Sequence, residues 1–257
     1  MDTKIISLIT TRTTDNFVEL LKKQKYLYFG IFRRLFRGSF ATVHFLTIPG
    51  TKAIYIVNPK CGSSTIKQSM LSLDHPEIAL DGHRVIHDHC KNMGYMKSQL
   101  PTDVDSFFIF TFVRNPLERI VSLYRNKFLD HEKVSRYGFV HTNYLGGLIH
   151  RDDSFTTFCR KISQIPDNLA ERHFKSQSSL IYGQDIQIDF VGKMENFESD
   201  FLTVSEKTGL QMPVQRNKTG AHITKPEVTE EIYDLIYLRY AKDYAEFYPE
   251  MLINDKS

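Results

Sequence analysis

Two stretches of the chain repeat one hydrophobic pattern: a short continuous apolar run, a polar loop, then apolar positions at helical spacing. In the first, AIYIV (53–57) enters the loop NPKCGSST (58–65), and IKQSML (66–71) follows with helical composition. In the second, FFIFTFV (107–113) passes through Arg114 and Asn115 to a stripe of Leu117, Ile120, Val121, Tyr124 and Phe128, leaving Glu118, Ser122 and Arg125 on a different face. Apolar runs this short, rich in β-branched and aromatic residues, predict buried strands. Strand-helix units separated by a crossover predict a parallel sheet flanked by helices, with ligands at the carboxyl ends of its strands.

Each polar loop has a reason for its residues. In the first, Pro59 stiffens the strand exit and Gly62 permits the geometry that turns amides inward. Ser63, Ser64 and Thr65 open the helix, where unpaired amides and the positive dipole end favour an anion. Lys60 adds a mobile charge. The ATP-binding pattern GxxxxGK[ST] is absent, because this lysine precedes the glycine, so an ordinary ATPase or kinase is disfavoured. In the second loop Asn115 is the expected N-cap, Pro116 the first helical residue and Glu118 the capping-box acid. Arg114 ends the strand and Ser122 follows two turns into the helix, within reach of one phosphate. Two anion sites at two strand ends predict a ligand with phosphate-like groups at both ends.

Together, PKCGSST (59–65) and RNPLERIVSLY (114–124) resemble the two motifs of the sulfotransferase superfamily, in particular its membrane-type carbohydrate branch. The resemblance implies a P-loop-like sulfotransferase fold, a single α/β domain with a central parallel sheet. It also implies 3′-phosphoadenosine 5′-phosphosulfate as donor co-substrate, with no metal required. Pro59, Lys60, Cys61, Gly62, Ser63, Ser64 and Thr65 would hold the 5′-phosphosulfate, with Lys60 at the bridging oxygen, and Arg114 and Ser122 the 3′-phosphate. Farther on, ERHFKSQSSLI (171–181) is similar to the family's acceptor-facing stretch, through His173, Lys175 and Gln177. IDFVGKMENFESDF (188–201) resembles its next strand and helix. QRNKTGAHIT (215–224) resembles the loop that closes over the nucleotide, through Lys218, Thr219 and Gly220, and YAKDYAEFYP (240–249) the closing helix. The likeness runs over roughly residues 50–250. It leaves 1–50 as an accessory segment packed on the core and 51–257 as the sulfotransferase domain. The implied reaction is in-line transfer of a sulfuryl group to a hydroxyl of a carbohydrate or glycolipid.

Such a transfer needs a base. DGHRVIHDHC (81–90) carries His83, His87 and His89 between the two nucleotide motifs, and histidine titrates near neutral pH. If VIH ends a short strand, His87 points at the cleft, which makes it the first choice, with His89 behind it and His83 nearer the acceptor. With Asp81, Asp88 and Cys90 the same cluster also holds enough ligand types for zinc, although its spacing is not a metal signature and a hydrolase would leave the anion motifs unexplained. Two further alternatives are a binding module without transfer and an atypical kinase, which would require Mg²⁺ and prefer ATP.

Composition narrows the setting. The chain has 257 residues, 41% hydrophobic, with no repeat or linker, enough for one substantial core. A net charge of +3 does not imply nucleic acid. Three cysteines, Cys61, Cys90 and Cys159, are an odd number without metal spacing, which suits reduced thiols in a cytosol. Cys61 reads as a small neutral loop residue, though amides and Lys60 would lower its pKa. The first fifty residues hold no apolar stretch of the roughly twenty residues needed to span a membrane. That favours a bacterial-type cytoplasmic enzyme, or a Golgi-lumen one whose anchor was removed. YLYFGIFRRLFRGSF (26–40) mixes aromatics with arginines and suits either a helix packed on the core or peripheral contact with a membrane.

Overall fold

Three adjacent strands on one side of the sheet run parallel, and two very short ones extend the other side through antiparallel pairings. In the computed structural model, which describes residues 44–76, 83–129, 148–150, 152–182, 186–213 and 224–253, the strands lie in the order β3-β1-β2-β4-β5. β2 (Ala53–Ile56), β4 (Phe108–Val113) and β5 (Phe190–Lys193) form the parallel core, with Tyr55 opposite Phe110 and Thr111 opposite Val191. β1 (Phe45–Leu46) pairs antiparallel with β2 and with β3 (Met96–Lys97). The expected parallel sheet is therefore mixed, because strands of two residues carry no hydrophobic period by which a sequence announces them. β1 also sits inside the sheet, between β3 and β2, so the sheet already begins at Phe45, within the segment expected to be accessory. The part of that segment before residue 44, with 26–40, lies outside the described residues.

In chain order the described helices are α1 (Ser63–Asp74), α2 (His83–Asn92), α3 (Pro116–Tyr124), α4 (Phe155–Ser163), α5 (Gln177–Ile181), α6 (Phe197–Thr208), α7 (Glu230–Arg239), α8 (Ala241–Phe247) and α9 (Glu250–Ile253). They cover both faces of the sheet, as alternation along the strands requires. Tyr55, Phe110 and Phe112 pack with Ile66 and Met70 of α1, Ile86 and Cys90 of α2 and Phe201 of α6. Val113, one register step over, joins Ile120 of α3, Phe158 of α4, Ile236 of α7 and Tyr244 of α8 on the other face. Each of these large side chains contributes about 1.5–3 kcal/mol on burial, before chain entropy is charged against it.

α2 corrects the expected strand at Val85–His87. Ile86 and Cys90, four residues apart, are both buried, while Asp88 between them is exposed. Helical period and packing against α1 override the local β preference of a valine-isoleucine pair. α3 starts where the sequence predicts: Asn115 Oδ1 accepts from the amides of Leu117 and Glu118, and proline follows the cap. The capping box is not closed, however. Glu118 turns to Arg114 and Lys225, and Glu195 accepts the Asn115 N–H instead, at 2.8 Å.

Candidate active site

The two loops emerge side by side because β2 and β4 are adjacent and parallel. In the first, Lys60 and Gly62 both take positive φ, +69° and +67°, so the chain winds through left-handed turns of the kind that gather backbone amides around an anion. Gly62 is fixed twice over, since an added Cβ would also lie 2.8 Å from Met194 Sδ. It caps α1 without a side-chain cap bond, and that turn holds no acid. Ser63 is partly exposed at that end, while Ser64 and Thr65 are buried. A glycine-capped helix start preceded by a lysine and followed by hydroxyls fits a phosphate-like group.

The second loop works differently. α3 begins with its amides already satisfied by Asn115, so an anion there meets side chains. Arg114 is partly exposed and its guanidinium lies 3.5 Å from Glu118. Ser122, 9% exposed, sits on α3 two turns along. Lys225 also reaches Glu118, at 3.0 Å, which draws the segment following residue 223 toward Arg114.

One residue joins the loops. Gln177, fully buried at the start of α5, accepts at Oε1 from Asn58 Nδ2 at 3.1 Å, Cys61 Sγ at 3.1 Å and the Arg114 amide at 3.0 Å, and donates from Nε2 to the Arg114 carbonyl at 2.8 Å. Its amide group therefore ties the two anion loops together, so the acceptor-facing position expected for it is taken by this buried junction. Asp243 of α8, itself fully buried, accepts the Gln177 and Ser178 amides at 2.8 Å each and anchors α5. Asn58 adds a bond to the Phe112 carbonyl at the end of β4.

Arg119 went unassigned in the sequence although it stands inside the second motif. It is 1% exposed and donates to three backbone carbonyls: Pro59 at 3.0 Å, Lys175 at 2.8 Å and Arg172 at 3.2 Å. The same side chain thus bolts the first loop to the turn at 171–175. The apolar stripe gave no signal for it, because Arg119 lies on a different side of α3, and a guanidinium enters a core only when its donors are matched.

The histidines do not form one cluster. His87 Nδ1 lies 2.9 Å from the Nζ of Lys67, a lysine of α1 that is 1% exposed and that burial pulls down to about 8. His89 falls on a different side of α2, edge-on to His75 with ring centroids 5.2 Å apart, and its Nε2 is buried without a hydrogen-bond partner among the described residues. Two positions on a helix differ by about 200°, so His87 and His89 cannot share a ligand, and among the described residues no group of three His, Cys, Asp or Glu side chains is placed to hold a metal. His83 opens α2. His173 pairs with Glu171 at 2.7 Å, and burial lowers its pKa against the pull of that carboxylate. Lys175 contributes its carbonyl to Arg119. Burial pushes the Cys61 thiol up to about 12, so it is a neutral packing residue and not a reactive one. Lys218, Thr219 and Gly220 lie outside the described residues.

The profile of the sulfotransferase family matches residues 43–249. The chain belongs to the sulfotransferase family. The match opens ahead of β1, in agreement with the place of that strand in the sheet. Among curated proteins, this sulfotransferase-family chain is similar to carbohydrate sulfotransferase 14 of Danio rerio, 27% identical over 67% of this chain and 50% of that protein. It is 30% identical to carbohydrate sulfotransferase 14 of Homo sapiens over 63% and 46%, and 26% identical to carbohydrate sulfotransferase 11 of Mus musculus over 80% and 64%. The chain thus spans about half the length of the first of these relatives. No solved structure matches it. No helix among the described residues is long and apolar enough to cross a membrane.

Proposed function

We propose that this protein transfers a sulfuryl group from 3′-phosphoadenosine 5′-phosphosulfate to a hydroxyl of a carbohydrate. The observation that carries this reading is the Gln177 junction. It fixes, side by side, a glycine-capped loop with a lysine and a loop with an arginine, and the second leads to a buried serine, which suits a ligand phosphorylated at two positions. The donor supplies an activated sulfuryl group with a phosphate as leaving group.

In this reading the first loop and Lys60 take the phosphosulfate end, where amides and a cation stabilise charge that grows on the departing phosphate oxygen. Arg114 offers its planar fork, and Ser122 its hydroxyl, to the 3′-phosphate. His87 is the base that takes the proton of the acceptor hydroxyl. His173, held by Glu171, together with Lys175 borders the acceptor, and Lys218, Thr219 and Gly220 cover the nucleotide. His89, packed against His75, is set aside as the base. The acceptor class comes from the carbohydrate sulfotransferases that the chain resembles, and a glycolipid is included in it.

The test is a transfer assay with the phosphosulfate donor against a panel of glycans and glycolipids, read by mass spectrometry. A sulfated product without added metal, lost in His87→Asn while nucleotide binding persists, supports the reading. Nucleotide binding with no product from any acceptor leaves a binding module, and a phosphorylated product from Mg-ATP makes the chain a kinase.

A further inference from the structure

A buried lysine decides which nitrogen of His87 carries a proton. Lys67 Nζ and His87 Nδ1 are 2.9 Å apart, a distance at which one proton lies between them. When Lys67 is an ammonium it donates to Nδ1, and a neutral His87 then keeps its proton on Nε2, where it has no lone pair left to act as a base. When Lys67 is a neutral amine, Nδ1–H donates to it and Nε2 is the basic nitrogen. Only the second arrangement yields a histidine able to remove a proton through Nε2.

We propose that Lys67 and His87 act as one two-residue base, in which Lys67 holds the Nδ1–H tautomer and receives that proton as Nε2 takes the acceptor's. This rests on the assignment of His87 as the base. In the step, the hydroxyl O–H bond breaks and Nε2–H forms, while Nδ1–H breaks and a third N–H forms on Lys67. The electron pair left on the hydroxyl oxygen makes the bond to sulfur. Lys67 ends as an ammonium and His87 as the neutral Nε2–H tautomer, and loss of one proton to water resets the pair. Lys67 is thus a positioning residue that works through His87.

The surroundings suit a lysine that enters uncharged. Among the described residues, the groups that act on Lys67 are His87 and Cys90 from α2, Arg172 from the turn ahead of α5 and His44 just before β1. None of these is a carboxylate that would hold an ammonium. Burial pulls Lys67 down to about 8, with Arg172 adding to the effect and Cys90 opposing it. Burial also pushes Cys90 up to about 11, so it stays a thiol. His44 is brought down to about 4 by burial, Arg172 and Lys67, and it stays neutral while Lys67 titrates.

The deciding experiment is the pH profile of kcat/KM for sulfate transfer between pH 6 and 10, on wild type, Lys67→Gln, Lys67→Met and His87→Asn. Affinity for 3′-phosphoadenosine 5′-phosphate and the thermal midpoint serve as controls for folding. Wild-type activity is expected to rise to a plateau through the Lys67 value of about 8. In Lys67→Gln the side-chain carbonyl accepts from Nδ1–H without titrating. Turnover should persist about tenfold reduced, with the inflection shifted down by roughly one pH unit or more, toward the range of an unassisted imidazole. Lys67→Met, with no acceptor for Nδ1, should be slower than the glutamine variant. An inflection unmoved in both lysine variants, while His87→Asn is inactive, overturns the relay and leaves the base assignment standing. Wild-type turnover in His87→Asn overturns both.

Discussion

The two strand-loop-helix units are built alike and offer an anion opposite things. At the start of α1 the capping residue is a left-handed glycine, it makes no side-chain cap bond and no acid stands in the first turn, so in the proposed reading backbone amides meet the anion. At the start of α3 an asparagine has taken two amides and an acid follows, so in that reading Arg114 and Ser122 meet it. The contrast extends to the cations each helix buries. Arg119 of α3 is matched by three carbonyls, whereas Lys67 of α1 meets an imidazole and is pulled toward neutrality. A guanidinium has a fixed fork to satisfy, while a lysine yields its proton when buried. One supersecondary unit, used twice, thus starts its helix on a glycine in one case and on a capping asparagine in the other.

Substitutions in each unit can break that contrast. The largest effect is expected from Lys60→Ala, in which turnover should fall about 10²- to 10³-fold with little change in nucleotide affinity; single-turnover kinetics and calorimetry would show the split, and an equal loss in both would make Lys60 a binding residue only. Arg119→Ala strands three carbonyls in the core and should cost about 3 kcal/mol or more in chemical denaturation. Gly62→Ala must strain a positive φ and push into Met194. It should cost about 2 kcal/mol and weaken nucleotide binding as well, because the amide cradle moves.

Lys67→Met separates the two buried cations. A lysine brought down from 10.5 to about 8 on folding sheds a proton that the unfolded chain retains. Its unfavourable contribution is complete below about pH 8 and disappears as pH rises toward 10.5. The methionine variant should therefore melt higher than wild type at pH 7, with the advantage shrinking by pH 10, at about 1.4 kcal/mol per unit of depression. A constant offset across that range would mean that the lysine is not titrating. The smallest effect is expected from Asn115→Ala, which removes an ordinary cap for about 1 kcal/mol and should disturb nucleotide affinity less than Gly62→Ala does.

Both units were legible in the sequence because each compresses its signal into a few residues: a buried apolar run, a loop chemistry with a stated geometry, and a helical stripe. The strand and helix of 188–201 and the helix of 240–249 were expected from the family resemblance alone and stand as β5, α6 and α8. β1 and β3 were not legible, since two residues carry no period. α2 was misread because Val85 and Ile86 prefer strands locally, and what decided the matter was the four-residue spacing of Ile86 and Cys90 against α1. The junction at Gln177 stayed hidden for another reason. Its partners are 119, 116 and 63 positions away in the chain, and only the fold brings them together. Lys67 lay in plain view beside the first motif, but a lysine on a helix reads as solvated until its burial is known.

Calorimetric titration with 3′-phosphoadenosine 5′-phosphate, with 5′-AMP and Mg-ATP in parallel, on wild type and Arg114→Ala, tests most directly that the two loops together form the donor site. Tight binding without metal that needs the 3′-phosphate and weakens about 10- to 100-fold in Arg114→Ala is the predicted result. Equal affinity for 5′-AMP, or binding unaffected by the loss of Arg114, would contradict it.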